Sequence, residues 1–123
     1  MEGERGLYYS LGILAYAVAK ADGSIQKEEK DKLGSILQKE FRHKPDFDYA
    51  EIIFQLLTKE DAGIARVYDW AFSEIKRNRH SLTEEMKVKM VRVMREVAMS
   101  FRPVTEEETA VIEKFVKDIA AVS

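Results

Sequence analysis

Apolar residues recur at helical spacing along almost all of this 123-residue chain, and no segment shows the alternation that is typical of a half-buried strand. In the first such segment, Leu7, Leu11 and Leu14 fall on one side of a helix. Turn-forming residues and the two prolines interrupt the pattern. The breaks predict six helices, at 7–20, 27–41, from 48, 60–77, from 81 or 83 to 100, and from 105. A chain of this length is typical of one domain, so we predict an all-α, single-domain bundle of about six helices over residues 1–123.

Each later helix carries an apolar stripe that we expect to face the core. The stripes are Leu33, Ile36 and Leu37 in the second helix, Ile52, Ile53, Leu56 and Leu57 in the third, Ile64, Val67, Tyr68, Ala71, Phe72 and Ile75 in the fourth, Met86, Met90, Val93, Met94 and Val97 in the fifth, and Val111, Ile112, Phe115, Val116 and Ile119 in the sixth. Asp48 is the predicted N-cap of the third helix. The pairs Ser81–Glu84 and Thr105–Glu108 have the spacing of capping boxes.

The composition excludes several classes of function. The chain has no cysteine, which rules out disulfides, thiolate metal sites and a cysteine nucleophile. His43 and His80 are the only histidines, so a site built from several imidazoles is excluded as well. The net charge of −2 argues against a general nucleic-acid binder. No phosphate-binding glycine loop, nucleophile elbow or zinc-protease helix is present. We therefore expect no enzymatic activity and no cofactor.

The longest apolar stretch, residues 7–19, is too short to span a bilayer, which requires about 20 residues. Acidic residues precede it, whereas a signal peptide begins with a positive segment. We interpret this stretch as a buried helix. With no export signal and no cysteine, we expect a cytoplasmic protein without membrane insertion.

The chain contains an internal repeat. A shift of 79 residues aligns 18–29 with 97–108 without a gap. Each copy reads as a helix, a tight turn, one apolar residue that plugs the turn, and a second helix, and we expect the two hairpins to pack together. The aligned pairs are Val18 with Val97, Ala19 with Ala98, Ile25 with Val104, Leu33 with Ile112, and Ile36 with Phe115.

The first hairpin turn carries a family resemblance. Residues 21–29, ADGSIQKEE, follow a helix of small residues and resemble the motif A-D-G-x-[IV]-x-x-x-E of the TerB family of tellurite-resistance proteins. The same domain resembles the N-terminal helical part of certain membrane-anchored DnaJ-type co-chaperones. The resemblance implies an all-helical bundle, a link to stress-response systems and an acidic surface that binds divalent metal.

The residues that match the implied metal surface are Asp22 and Glu29 in the first hairpin and Glu108 in the second. The second hairpin has Ser100-Phe101-Arg102 where the motif has Ala-Asp-Gly. Residues 22–29 also resemble the second half of a calcium-binding loop, but Val18 and Lys20 replace its first carboxylates. The alternative to metal binding is that these acidic residues only cap helices and form turns.

Two surfaces are predicted for a non-enzymatic interaction or scaffold domain. One is the acidic turn of Asp22, Glu28 and Glu29, with Glu106–Glu108 brought near it by the repeat. The other is the basic stretch 76–95, which equally fits a solvated helix face. A protein partner and self-association are the predicted uses of such surfaces, and a divalent-metal sensor is the alternative. The further residues predicted to take part are Arg77, Arg79, Arg92 and Trp70.

Overall fold

The computed structural model describes residues 2–21, 23, 25, 27–42, 46–100 and 104–122, without the side chains of residues 2 and 28–30. Over this part of the chain the structure is entirely helical and has no strand, which confirms the predicted fold class. A short 3-10 helix (Arg79–Ser81) precedes the fifth α-helix. The α-helices are α1 (Glu2–Lys20), α2 (Lys27–Phe41), α3 (Asp48–Glu60), α4 (Ile64–Arg77), α5 (Glu84–Met99) and α6 (Glu106–Ala120).

The first helix is the centre of the bundle. Apart from Tyr9, every residue of α1 from Leu7 to Ala19 is buried, because α3, α4, α5 and α6 all pack against it. Helix α3 approaches so closely that a Cβ added to Gly12 would lie 2.2 Å from the carbonyl oxygen of Ala50. This contact requires a residue without a side chain. Within the part of the chain that the structure describes, no helix is long and apolar enough to cross a membrane.

The second helices of the two predicted repeats correspond in length and position. Helices α2 and α6 have equal lengths, and both of their ends differ by the same 79 residues. Four of the five aligned pairs are buried in both copies. The fifth pair is not equivalent, since Ile25 is half-buried whereas Val104 is 39% exposed. Val104 was therefore wrongly predicted to plug its turn.

Several predicted helix ends are wrong. Helix α1 begins at Glu2 instead of Leu7. Helix α4 begins only at Ile64, because α3 continues through Glu60 and Asp61 ends it in the left-handed region at φ 54°. Asp48 is the first residue inside α3, and the N-cap position belongs to Phe47, which makes no side-chain cap.

The predicted capping box at the start of α5 is also wrong. Thr83 is the N-cap, and its hydroxyl accepts a hydrogen bond from the backbone N–H of Met86 at 3.0 Å. Ser81 instead ends the 3-10 helix, and its Oγ has no hydrogen-bond partner in the described structure. The 3-10 turn occupies the residues that the predicted box required.

The predicted core is confirmed in most positions, including the methionine stripe of α5: Met90 and Met94 are fully buried, and Met86 packs against the core from a half-buried position. Three predicted core residues are exposed instead. They are Ile52 at 55%, Leu56 at 49% and Val116 at 38%. The core side of α3 is narrower than predicted and consists of Ala50, Ile53, Phe54 and Leu57.

Candidate interaction surface

The acidic residue Glu108 is a helix cap. Its side chain is 1% exposed, and its Oε1 accepts the backbone N–H of Thr105 at 2.9 Å. In return, Thr105 Oγ1 accepts the backbone N–H of Glu108 at 3.1 Å. The predicted capping box at α6 is therefore confirmed. Burial of this carboxylate is tolerated because it is hydrogen-bonded at the positive end of the helix dipole.

The rest of the predicted metal surface is only partly described. Asp22 and the side chains of Glu28 and Glu29 lie outside the described residues. Glu106 and Glu107 are exposed in the first turn of α6. Among the residues that can be examined, no three His, Asp or Glu side chains converge as a metal site would require. The metal assignment stays a prediction, which a titration of the metal-free protein with Ca²⁺, Mg²⁺, Mn²⁺ and Zn²⁺ followed by amide NMR would check.

Glu108→Ala is expected to lower the free energy of unfolding by about 1 kcal/mol, because it removes one half of the capping box. Glu108→Gln is the matched control, since a glutamine also serves at this position of the box. Chemical denaturation of both variants measures the difference. Equal losses for the two substitutions would contradict a role based on the hydrogen bond.

An ion pair between a lysine and an aspartate links the C-terminal end of α1 to the connection between α3 and α4. The ammonium of Lys20 donates to Asp61 Oδ1 at 2.5 Å, and this hydrogen bond raises the pKa of Lys20. Tyr16, one turn earlier, donates its hydroxyl to the carbonyl of Ala62 at 2.6 Å. Both contacts hold the α3–α4 connection against α1. Lys20 thus has a structural partner in the α3–α4 connection.

The basic stretch is mostly engaged within the molecule. Lys89 donates to the carbonyl of Glu40 at 3.1 Å, and Arg92 donates to the Glu40 carboxylate at 3.0 Å. Arg77 pairs with Glu74 on the same helix. Arg79 donates to the carbonyl of Lys76, and both arginines are exposed. The stretch therefore ties α5 to the end of α2, where cations also complement the helix dipole.

Trp70, one of the predicted interaction residues, is 45% exposed on α4. Its neighbours one turn away on either side, Arg66 and Glu74, are polar. The indole is thus an isolated exposed aromatic. Single exposed apolar residues are common on protein surfaces and by themselves mark no site.

An apolar groove runs between α5 and α6, and we call it the α5–α6 groove. Its apolar wall comes from both helices, and Val88 is 55% exposed there. On α5, Val88 lies one turn before Arg92, which pairs with Glu40 of α2. Val88, Val116 and Ala120 are exposed there, whereas Val91 is half-buried and Ile119 is buried in the core. The apolar wall consists of Val88, Val91, Val116, Ile119 and Ala120.

Some of the charged residues along the α5–α6 groove have partners within the chain and one does not. Glu84 and Lys87 pair with each other at 3.1 Å, and Lys87 also donates to the carbonyl of Val122 at 2.6 Å. Arg95, one turn after Val91, is exposed and makes no hydrogen bond or ion pair with any residue that the structure describes. The groove therefore presents apolar side chains next to one unpaired cation.

A second exposed apolar site lies on α3, and we call it the α3 face: Asp48, Ile52, Leu56 and Glu60. These residues are four apart, so they form one line along the helix. Asp48 and Glu60 are exposed at its two ends, and neither forms an ion pair within the described part of the chain. The α3 face thus presents two large apolar side chains between two unpaired carboxylates.

Sequence reasoning missed both surfaces for opposite reasons. Ile52 and Leu56 were assigned to the core because four neighbouring apolar residues look like one broad stripe. Val88 and Val91 were assigned to no stripe, although Val88 is an apolar residue on the side of α5 away from Met86 and Met90, and Val91 borders the methionine stripe. Apolar residues beyond the width of a core-facing stripe were the available signal.

A hydrogen-bonded cluster holds α6 against α4. The Tyr68 hydroxyl donates to Asp118 Oδ2 at 2.7 Å, and the Lys114 ammonium donates to the same oxygen at 2.9 Å. These two contacts lower the pKa of Asp118 below 3.8, the hydrogen bond from Tyr68 contributing most. Burial and the same hydrogen bond raise the pKa of Tyr68.

Because the folded protein depresses the pKa of Asp118, the cluster contributes stability above the unfolded value of 3.8 and loses it as the pH falls through the lower folded value. As the pH is lowered from about 5 to about 2, the free energy of unfolding of Asp118→Asn is expected to fall less than that of the wild type. Urea denaturation across this range measures it. Tyr68→Phe should partly reduce the dependence of the free energy of unfolding on pH. If this free energy depends on pH in the same way for the wild type and Asp118→Asn, Asp118 is not the group that causes the dependence.

The architecture defines this chain, over the described residues, as a small all-helical domain in which α3, α4, α5 and α6 pack round the buried helix α1, and α2 packs on α3 and α5. The family follows from the sequence: the family described as "Tellurite resistance protein TerB" matches residues 10–121, so the chain belongs to the TerB family and is a tellurite-resistance-type domain. The suspected family membership is therefore confirmed over nearly the whole chain. Comparison with curated proteins gave no match. Comparison with solved structures gave no match either.

Proposed function

We propose that this chain is a non-enzymatic interaction domain of a tellurite-resistance-type stress response, and that it binds a protein partner through the α5–α6 groove. The observation that carries the proposal is the exposure of Val88 and Val116 on adjoining helices. Exposed apolar side chains that adjoin one another across two helices favour an interaction site over scattered surface residues. The flanking charges would orient the partner, because polar rims surround apolar centres in protein interfaces.

The two tyrosine hydroxyls of the core that have shifted pKa values offer no catalytic base. Burial raises the pKa of Tyr8 to about 12, with smaller contributions from the nearby carboxylates of Glu4 and Asp46. The pKa of Tyr68 is raised as well. Both hydroxyls stay protonated at neutral pH, whereas a catalytic base or nucleophile requires a pKa near the working pH. Their environments favour packing over proton transfer.

The test is site-specific photo-cross-linking in cells that produce the full chain. A benzophenone amino acid at position 88 is expected to give one discrete protein adduct, which Arg95→Glu abolishes. The matched control places the same amino acid at Ser73, an exposed residue of α4, where no discrete adduct is expected. Absence of an adduct at position 88, or the same adduct at both positions, would overturn the proposal. The mass of the adduct identifies what occupies the groove.

A further inference from the structure

The two exposed apolar surfaces have complementary charges. The α5–α6 groove combines Val88 and Val91 with an unpaired cation, Arg95. The α3 face combines Ile52 and Leu56 with unpaired carboxylates at both ends. Contact between the two surfaces would cover the apolar side chains of both. A charge that loses its water in such a contact requires an opposite charge, and each surface provides the charge that the other lacks.

The spacing along the helices also matches. Arg95 lies four residues after Val91, and Glu60 lies four residues after Leu56. Asp48 precedes Ile52 by the same interval. Four residues correspond to about 6 Å along a helix axis, so each surface places a charge about one turn beyond its apolar pair. A helix laid along the groove in either direction can therefore bring a carboxylate to Arg95.

The two surfaces cannot meet within one chain. Helix α3 packs against α1 and α2. The groove lies between α5 and α6, and both of these helices pack against the central helix α1. The body of the bundle thus separates the α3 face from the groove, and the groove must be covered by another molecule.

We propose that the occupant of the α5–α6 groove is the α3 face of a second copy of this chain. The inference rests on the proposed function, because it assigns a partner to the same groove. The contact is head-to-tail: each copy offers its α3 face to one neighbour and its groove to another. Such a heterologous contact leaves one unused surface at each end of an open assembly, so assemblies grow with concentration until they close into rings or extend as open chains.

The test is sedimentation velocity of the full chain from about 10 µM to about 1 mM, a range suited to weak association. The average mass of the wild type is expected to rise with concentration. Leu56→Lys inactivates only the α3 face, and Val88→Lys inactivates only the groove, so each variant alone is expected to stay monomeric. Both substitutions are at exposed positions and leave the core intact. Ser73→Lys adds the same charge elsewhere and should associate like the wild type.

Mixing the two inactive variants gives the decisive result. The intact groove of Leu56→Lys and the intact α3 face of Val88→Lys should form a dimer whose mass stops at twice that of the chain. A monomeric wild type at the highest concentration, or a single variant that still dimerises, would overturn the head-to-tail contact. A cross-linked adduct of a different protein at position 88 would then leave the proposed function standing, whereas no adduct would remove both.

Discussion

Gly12→Ala is expected to lower the free energy of unfolding by about 2–3 kcal/mol, although alanine is the better helix former by about 1 kcal/mol. The added methyl group would lie 2.2 Å from the carbonyl oxygen of Ala50 and 2.3 Å from Cγ2 of Ile53. The first of these atoms belongs to the backbone of α3 and cannot swing away. Helix α3 must therefore move off α1, which breaks the packing of the central helix.

Gly34→Ala is the matched control, because Gly34 is also inside a helix, α2. A methyl group there would meet Glu51 Oε2 at 2.9 Å, the far end of a flexible side chain that can rotate toward solvent. Its gain in helix propensity should make this variant as stable as the wild type or more so. Urea denaturation of both variants measures the contrast. Similar stabilities would show that α1 and α3 do not approach as closely as the structure has them.

Secondary structure was predictable because most helices here obey local rules. Helix α2 runs between the predicted residues, and α6 begins after the predicted cap, Thr105. The family resemblance depended on nine residues of one turn, yet the family match extends over residues 10–121. Local sequence was therefore sufficient to predict a helix end or the family where particular turn or cap residues determine it.

How much of each helix is buried depends on tertiary contacts, which local sequence rules do not predict. A helical stripe shows which residues lie on one side, but the number of neighbouring helices determines how wide the buried side is. Helix α1 is surrounded and buries nearly all of its apolar residues, whereas α3 packs on α1 and α2 and leaves Ile52 exposed. The close approach at Gly12 likewise depends on a partner helix 38 residues away, Ala50 being the contact. The candidate surfaces arose from this difference and were therefore not predicted.

Phe115→Ala is expected to lower the free energy of unfolding by about 3–5 kcal/mol, because it removes a fully buried aromatic ring and leaves a cavity. Phe115 is the counterpart of Ile36 in the internal repeat and lies where α6 faces the core. The large value follows from the ring's complete burial, since the surrounding side chains can close only part of the space.

Val116→Ala, at the next residue, is the matched control and is expected to cost less than about 1 kcal/mol, because this side chain is 38% exposed in the α5–α6 groove. The sequence placed Phe115 and Val116 in the same stripe, so the pair separates core packing from surface exposure on one helix. Thermal and chemical denaturation of the two variants gives the two losses. A loss at Val116 as large as that at Phe115 would mean that another part of the molecule, or a second copy, covers the groove under the conditions of the measurement. Repeating the denaturation at several protein concentrations separates these cases, because only cover by a second copy depends on concentration.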